Sequence, residues 1–340
     1  MTHWPAFLFS FCIGALLTAG APLVGQQPPA NTNVSAAAQE KEQIESALKL
    51  TREAAGKYEI VPEGISDVPA RLRAEPVLRW SNPAVGEIHG NVFLWTLKDS
   101  TRIDGKAINE AAVNRAAVNR AAVNERRADR TATDGMGAGR PVAIGSLFKW
   151  FSPHTHTSHE FHSLAEVPIT ASYEGSRVWV TKQPGVKFLP LEGAAVPAAT
   201  PARRLAQMRD LAKRFTGHMT TRENDERQLR LLPQPIYRYA SADRQGSSAD
   251  DAADGNLAAS GNPVTGGLFA FVESTDPEIL LLLEARGEKS PRWYFAGARM
   301  QNVTLVLKFD DREVWSVPTL EWSEAFDHTQ PYTLFDTPGK

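Results

Sequence analysis

The chain has 340 residues, a formal net charge of −2 at pH 7 and a single cysteine, Cys12. This near balance of charge gives no electrostatic reason to expect nucleic-acid binding, which depends on a clear excess of Lys and Arg. One cysteine excludes an intramolecular disulfide. Its place in the N-terminal segment excludes a cysteine nucleophile, a thiolate zinc site and an iron–sulfur cluster from the remainder of the sequence.

The N-terminus has the order of segments that is typical of an export signal. Residues 6–17 form an apolar run, small residues follow it, and no charged residue occurs from Trp4 to Ala38. Such an order predicts a secretory signal peptide over residues 1–25, or an uncleaved anchor there, because about 20 apolar residues can span a bilayer. Residues 26–36 read as a polar linker. We therefore expect export to the periplasm or cell envelope.

A first α+β unit is predicted over residues 37–190. It opens with a helix that Ser35 can cap and Gly56 can end, and its apolar stripe comprises Ile44, Ala47, Leu48, Thr51 and Ala55. Three short runs with strand composition follow the helix, and they read KYEIV, PVLRWS and NVFLWTL.

A low-complexity insert then interrupts this unit over residues 99–139. Its centre, residues 107–127, reads AINEAAVNRAAVNRAAVNERR, which is a five-residue tandem repeat. A period of five matches neither a helix nor a strand, so the tract cannot keep one apolar face turned inward. We interpret it as an expansion within a hairpin loop, between a strand ending near Leu97 and a strand starting near Pro141.

Strand patterns resume after the insert and continue into a second unit. A linker is predicted over 191–200, followed by a helix from Pro201 to Phe215 with Thr200 as its N-cap. The second unit covers residues 201–325 and contains runs such as GGLFAFVES and EILLLLEAR. A polar loop over 241–265 interrupts it, and residues 326–340 read as a C-terminal tail.

The two units share an order of elements. Each begins with an amphipathic helix, and the runs PVLRW and GNVFLW of the first unit match PIYRY and GGLFAF of the second. From Pro141 and Pro277 onward the units align without a gap as far as Trp179 and Trp315. The run ILLLL at 279–283 is apolar on both faces, so it must be covered on both sides. The predicted fold is therefore α+β and β-rich, with two tandem helix-plus-antiparallel-β-meander repeats packed together.

Four histidines within nine residues form the candidate metal site. The segment 154–162 reads HTHTSHEFH, and its histidines are His154, His156, His159 and His162. Neutral imidazoles bind zinc and other divalent transition metals. On a strand, however, alternate residues share a face, so His159 and His162 are expected on opposite faces. A polar hairpin with no metal is the competing interpretation.

A hydrolase site is a further possibility. Glu87 and His89 would provide a carboxylate and an imidazole beside Glu160 and His162 if the runs GEIHG and HEFH lay on neighbouring strands. The same residues could complete the metal site.

Tryptophans recur at strand positions of both units and allow two interpretations. They are Trp80, Trp95, Trp150, Trp179, Trp293 and Trp315. Exposed, they could bind sugars or an apolar partner, but their matched placement favours a role in the core.

Several runs resemble a family of uncharacterised exported proteins of planctomycete bacteria. The similarity rests on PVLRWSNPAVGEIHGNVFLWT, GSLFKWFSPHTHTSHEFHSLA, RLLPQPIYRY, LFAFVESTDPEILLLLEAR and EVWSVP. It extends over most of residues 40–318 outside the two loops. The family has no established activity, so the resemblance implies export and no catalytic residue.

These observations favour an exported, non-catalytic binding or structural protein of the periplasm or cell envelope, without a cofactor. Its expected partner is an envelope component or a small ligand, and a membrane is involved only if residues 1–25 remain uncleaved. The alternative is a His-dependent metal protein or hydrolase centred on residues 154–162, with a metal such as zinc.

Overall fold

A computed structural model describes residues 30–65, 68–83, 86–97, 136–243, 262–287 and 290–337. Strands make up 50% of them, which confirms a β-rich α+β protein. The predicted signal segment, the tandem-repeat tract and most of the predicted polar loop lie outside these residues.

Three helices occur in the described part of the chain. They are α1 (Ala30–Ala55), α2 (Pro201–Ala212) and α3 (Trp322–Ala325). α1 begins before the expected cap Ser35, so part of the predicted linker is helical; no Pro or Gly interrupts residues 30–36, which lets the helix extend. α2 begins as predicted, with the Thr200 side chain accepting a hydrogen bond from the Arg203 N–H. None of the described helices is long and apolar enough to cross a membrane.

Ten strands precede α2 in the ranges that the structure describes. They are β1 (Tyr58–Pro62), β2 (Arg71–Leu72), β3 (Leu78–Ser81), β4 (Glu87–Thr96), β5 (Met136–Ala138), β6 (Pro141–Ser152), β7 (Thr157–Ser163), β8 (Ile169–Tyr173), β9 (Ser176–Val180) and β10 (Leu189–Pro190).

Nine further strands follow α2 among the described residues. They are β11 (Phe215–Thr220), β12 (Glu226–Leu231), β13 (Tyr237–Asp243), β14 (Asn262–Glu273), β15 (Asp276–Arg286), β16 (Arg292–Arg299), β17 (Thr304–Phe309), β18 (Arg312–Val317) and β19 (Tyr332–Thr337).

The described strands form three sheets. In the first half of the chain, residues 42–190, strands β1, β8 and β9 form a small sheet, whereas β7, β6, β4 and β2 run side by side in a larger one that β19 extends. In the second half, residues 191–337, the corresponding strands belong to one curled sheet, which β10 of the first half extends at one edge, in the order β10-β16-β15-β14-β12-β11-β17-β18. The six-residue β12 pairs with both β11 and β14, so it joins strands β11, β17 and β18 to strands β14, β15 and β16 in one sheet. The short β2 of the first half pairs only with β4, so the equivalent strands there stay in two sheets.

The strand pairings of the first half recur in the second half in the same order and register. Ala143 lies opposite Ser163 across β6 and β7, and Ile279 lies opposite Arg299 across β15 and β16, as the gap-free alignment requires. Register shifts also fall at matching places, after Ala171 in β8–β9 and after Leu307 in β17–β18.

One close contact between a glycine and an aromatic ring falls at matching positions of the two halves. Gly90 of β4 lies under the Trp80 ring, and Gly266 of β14 lies under the Tyr239 ring. A Cβ atom at either position would overlap the ring. The matched runs GNVFLW and GGLFAF therefore share a packing constraint as well as a pattern.

Three buried apolar clusters fill the protein. In the first-half core, the small sheet β1-β8-β9 and the end of α1 pack with one face of β4, β6 and β7. In the second-half core, α2, β11 and β17 pack with one face of β14, β15 and β16. The opposite faces of these two sets of strands meet in a third, inter-sheet core. Strand β15 confirms the expectation for ILLLL, because Leu281 packs in the second-half core while Leu280 and Leu282 pack in the inter-sheet core.

Several predicted loop boundaries are corrected by strands. Residues 136–138 of the predicted insert form β5, which pairs in parallel with β13. The predicted polar loop is shorter than 241–265, because β13 continues to Asp243 and β14 begins at Asn262. The predicted tail contains β19, which pairs antiparallel with β7. β5 and β19 find their hydrogen-bond partners on strands that are remote in sequence, which local composition does not reveal, whereas β13 and β14 extend their shared ladder as far as Asp243 and Asn262.

Candidate functional site

The histidine stretch folds into the hairpin between β6 and β7 and into β7 itself. His154 is exposed near the tip, and His156 is half-buried, stacking on the Trp150 ring with centroids 5.3 Å apart. His159 and His162 are buried within β7, which lies between β6 and β19.

The two buried histidines point to opposite faces of the sheet. His159 lies on the side of the first-half core, where its Nδ1 atom is 2.8 Å from the Tyr58 hydroxyl oxygen. His162 shares the inter-sheet face, and its Nδ1–H donates to the Ser163 carbonyl oxygen at 2.7 Å. Burial lowers the pKa of each imidazole to about 4, so both are neutral at pH 7.

This arrangement does not gather the four histidines around one ion. His159 and His162 are separated by the sheet, and a metal ion requires ligands that converge from one side. Within the described ranges, no group of three or more His, Cys, Asp or Glu side chains is arranged to hold a metal ion.

The hypothesis that GEIHG and HEFH are neighbouring strands is wrong. Strand β6 lies between β4 and β7 and pairs with both, because the chain returns from the insert directly alongside β4. Glu87 accepts a hydrogen bond from Gln43 of α1 at 3.0 Å, and His89 packs edge-on against Phe151. Glu160 and His162 occupy the opposite face, so the four residues do not form an acid–base set.

The tryptophans confirm the core interpretation. Trp80, Trp95, Trp179 and Trp293 are buried, while Trp150 and Trp315 are half-buried and pack against the clusters.

A different group of polar residues is concentrated at one end of the inter-sheet core. Glu160 of β7 approaches Asp276 and Glu278 of β15 across the interface, and we call these three residues the carboxyl cluster. The Tyr332 hydroxyl of β19 donates to Glu160 Oε1 at 2.6 Å. Glu278 is 2% exposed and Glu160 8%, whereas Asp276 lies at the partly open rim.

Arg299 is the cation that faces this cluster, but its hydrogen bonds are made to backbone carbonyl groups. Its guanidinium donates to the carbonyl oxygens of Gln301, Val303 and Pro318 at 2.7–3.0 Å. It attracts Glu160 through space without a direct hydrogen bond among the described contacts. The three carboxyl groups thus lack an arginine fork of their own.

Burial and mutual repulsion make these carboxyl groups weak acids. Desolvation raises the pKa of Glu160 to about 8, although the Tyr332 hydrogen bond and Arg299 act in the opposite direction. The pKa values of Asp276 and Glu278 are also raised, first by burial and then by the neighbouring carboxyl groups. At neutral pH the cluster therefore retains protons.

The other end of the same interface is built differently. Glu284 of β15 is fully buried and accepts hydrogen bonds from Arg140 at 2.9 and 3.0 Å, from Arg286 at 2.6 Å and from the Tyr239 hydroxyl. Glu166 accepts from the same two arginines. This arginine cluster, comprising Arg140, Glu166, Glu284 and Arg286, contains two cations for two carboxylates, so its charges balance.

The carboxyl cluster was missed from the sequence except for Glu160. One signal was present: strand alternation places Glu278 and Glu284 on the same face of β15 as Leu280 and Leu282, which is the face that must be covered. A glutamate on such a face needs a partner or a proton.

Comparisons with family models, with curated proteins and with solved structures find no match to this chain.

Proposed function

We propose that the chain is an exported, non-catalytic protein of the periplasm or cell envelope that binds or supports another envelope component or a small ligand. The observation that carries the non-catalytic part is the division of the candidate residues by the large first-half sheet. Glu87, His89 and His159 lie on the helix side, and Glu160 and His162 lie on the inter-sheet side. A catalytic or metal site needs such groups on one side.

Export is supported by the order of segments in residues 1–25 and by the resemblance to exported planctomycete proteins. The test is to express the full chain in a Gram-negative host and to fractionate the cells. The parent chain should appear in the periplasmic or membrane fraction, and Leu16→Arg, which places a charge in the apolar run, should accumulate in the cytoplasm. The N-terminal sequence of the exported chain distinguishes cleavage near Gly25 from an anchor. Cytoplasmic parent protein would refute export.

The metal alternative is tested separately on untagged protein. Mass spectrometry should find no stoichiometric zinc, copper or nickel in the parent chain or in the triple variant His156→Ala, His159→Ala, His162→Ala. One equivalent in the parent that disappears in the variant would replace the non-catalytic proposal with the metal-protein alternative.

We further propose that the two halves are tandem repeats of one α+β unit. The proposal is supported by the matched pairings β4-β6-β7 and β14-β15-β16, by the coincident register shifts and by the two glycines packed under aromatic rings. The repeats exchange their C-terminal strands: β10, at the end of the first half, pairs with β16 of the second, and β19, at the end of the second half, pairs with β7 of the first.

A further inference from the structure

We propose that the carboxyl cluster is a proton-dependent clasp, which holds the two central sheets and the C-terminal strand together while its carboxyl groups are protonated and loosens their contact as they ionise.

The position of the cluster makes it able to act on the contact between the halves. Glu160 belongs to the first-half sheet, Asp276 and Glu278 belong to the second-half sheet, and Tyr332 belongs to β19. The Tyr332 hydroxyl hydrogen-bonds Glu160 at 2.6 Å, while Asn82 and Gln301 hydrogen-bond Asp276 and Glu278. A change of charge at Glu160 therefore alters its electrostatic interaction with Asp276 and Glu278 across the interface and its hydrogen bond with Tyr332 of β19.

The charges that face the cluster do not balance once the carboxyl groups ionise. Strands β7, β14 and β15 contribute four carboxyl groups and one neutral imidazole. Strand β16 contributes one guanidinium, β19 contributes a phenol, and α3 contributes a fifth carboxyl group. These groups are Glu160, His162, Glu273, Asp276, Glu278, Arg299, Tyr332 and Glu324. Glu273 is half-buried and paired with Arg227, and Glu324 is exposed. Arg299 is therefore left to face Glu160, Asp276 and Glu278, and one cation cannot offset three negative charges in a poorly hydrated interface.

The arginine cluster shows what a balanced interface in the same protein looks like. There, both carboxylates receive guanidinium donors at 2.6–3.0 Å. The ionised carboxylates at that end are already paired with arginines, so raising the pH adds no unpaired negative charge there. The two ends of one interface thus differ in their expected response to pH.

The direction follows from proton linkage. Burial raises the pKa of Glu160 to about 8 in the folded chain, well above the usual range of an exposed glutamate. The folded state then binds more protons than the unfolded state, so its advantage is complete at low pH and is lost as the pH rises through about 8. The buried histidines have lowered pKa values, so at these groups the folded state binds fewer protons than the unfolded state. The pH dependence of the parent's stability therefore combines two opposing effects.

The test therefore compares the parent chain with Glu160→Gln, which imitates the protonated carboxyl group and removes its titration. Urea unfolding of both proteins is followed from pH 6.5 to pH 9. The ratio of the parent's folding equilibrium constant to that of the variant should fall about thirtyfold over this range, as one group titrating near pH 8 requires. The exposed Glu59→Gln serves as a matched control that removes one negative charge, and its ratio should stay constant.

A constant ratio for Glu160→Gln would overturn the clasp. If that variant fails to fold, amide hydrogen exchange of the parent decides. After correction for the intrinsic exchange rate, protection of β19 and β7 should fall more than tenfold from pH 6.5 to pH 9, while protection of β17 and β18 should not. Equal changes in both pairs of strands would refute the proposal.

Discussion

At the scale of single residues, several buried polar side chains of the interior join elements through specific hydrogen bonds. Tyr58 and His159 illustrate this, because they join β1 to β7 through a buried hydrogen bond of 2.8 Å. Tyr58 also packs edge-on against Trp95 and obliquely against Phe161. The histidine thus contributes to the first-half core as a neutral hydrogen-bonding group.

We expect Tyr58→Phe to lower the free energy of unfolding by about 1–3 kcal/mol, because it leaves His159 Nδ1 buried without this partner. Chemical denaturation at pH 7.5 measures the change. Tyr173→Phe is the control, since this half-buried neighbour packs against Tyr58 without a hydrogen bond to it. Equal effects of the two variants would show that ring packing, not the hydrogen bond, determines the stability.

The candidate residues could be predicted only in part. The alternation of β7 correctly separated His159 from His162, because alternation is a local property of the strand. The cluster around Glu160 depends on contacts with Glu278 and Tyr332, which lie far along the chain. No local pattern contains that information, although a glutamate at each end of the apolar face of β15 indicated that the covering surface must be polar there.

At the scale of elements, β19 is the least expected strand. It pairs with six consecutive residues of β7, from Thr157 to His162. Its partner strand is therefore bordered on both sides, and the buried polar face of β7 is protected from pairing with another chain. A short alternating segment carries a weak strand signal, so the sequence alone did not predict this pairing.

Truncation after Gln330 should therefore cause a large loss of stability and solubility. It removes the β19 ladder and the hydrogen bond between Tyr332 and Glu160, and it exposes β7 as an edge strand. Thermal unfolding and light scattering measure both effects. Asp336→Asn, at an exposed position of the same strand, should change little. A truncated chain as stable and soluble as this control would show that β19 is dispensable.

At the scale of the whole molecule, two similar halves meet through faces that are buried on both sides. The succession of helix and strands and the two-sided apolar run were readable from the sequence, because they reflect local periodicity. The joining of the second-half sheet through β12 and the exchange of β10 and β19 were not, because they depend on which remote strand edge each segment meets.

Removal of residues 107–127 should leave the fold intact and raise the free energy of unfolding by about 0.6 kcal/mol, because halving the length of a connection lowers the entropy cost of closing it. Circular dichroism and urea unfolding check this. A longer deletion, 107–138, also removes β5 and its pairing with β13, and it should destabilise the chain. A loss of folding on the shorter deletion would mean that the tract is structural.

The exchange of edge strands also has a consequence for synthesis. A growing chain emerges from its N-terminus, so β6 and β7 are made long before residues 332–337. Until residues 332–337 have been made, the β7 edge of the first-half sheet lacks its partner β19, and it can pair with another exposed strand, including the same strand of a neighbouring nascent chain. Completion of the first-half sheet therefore waits for a segment that is made long after its other strands, and this interval is when a chaperone would be most useful.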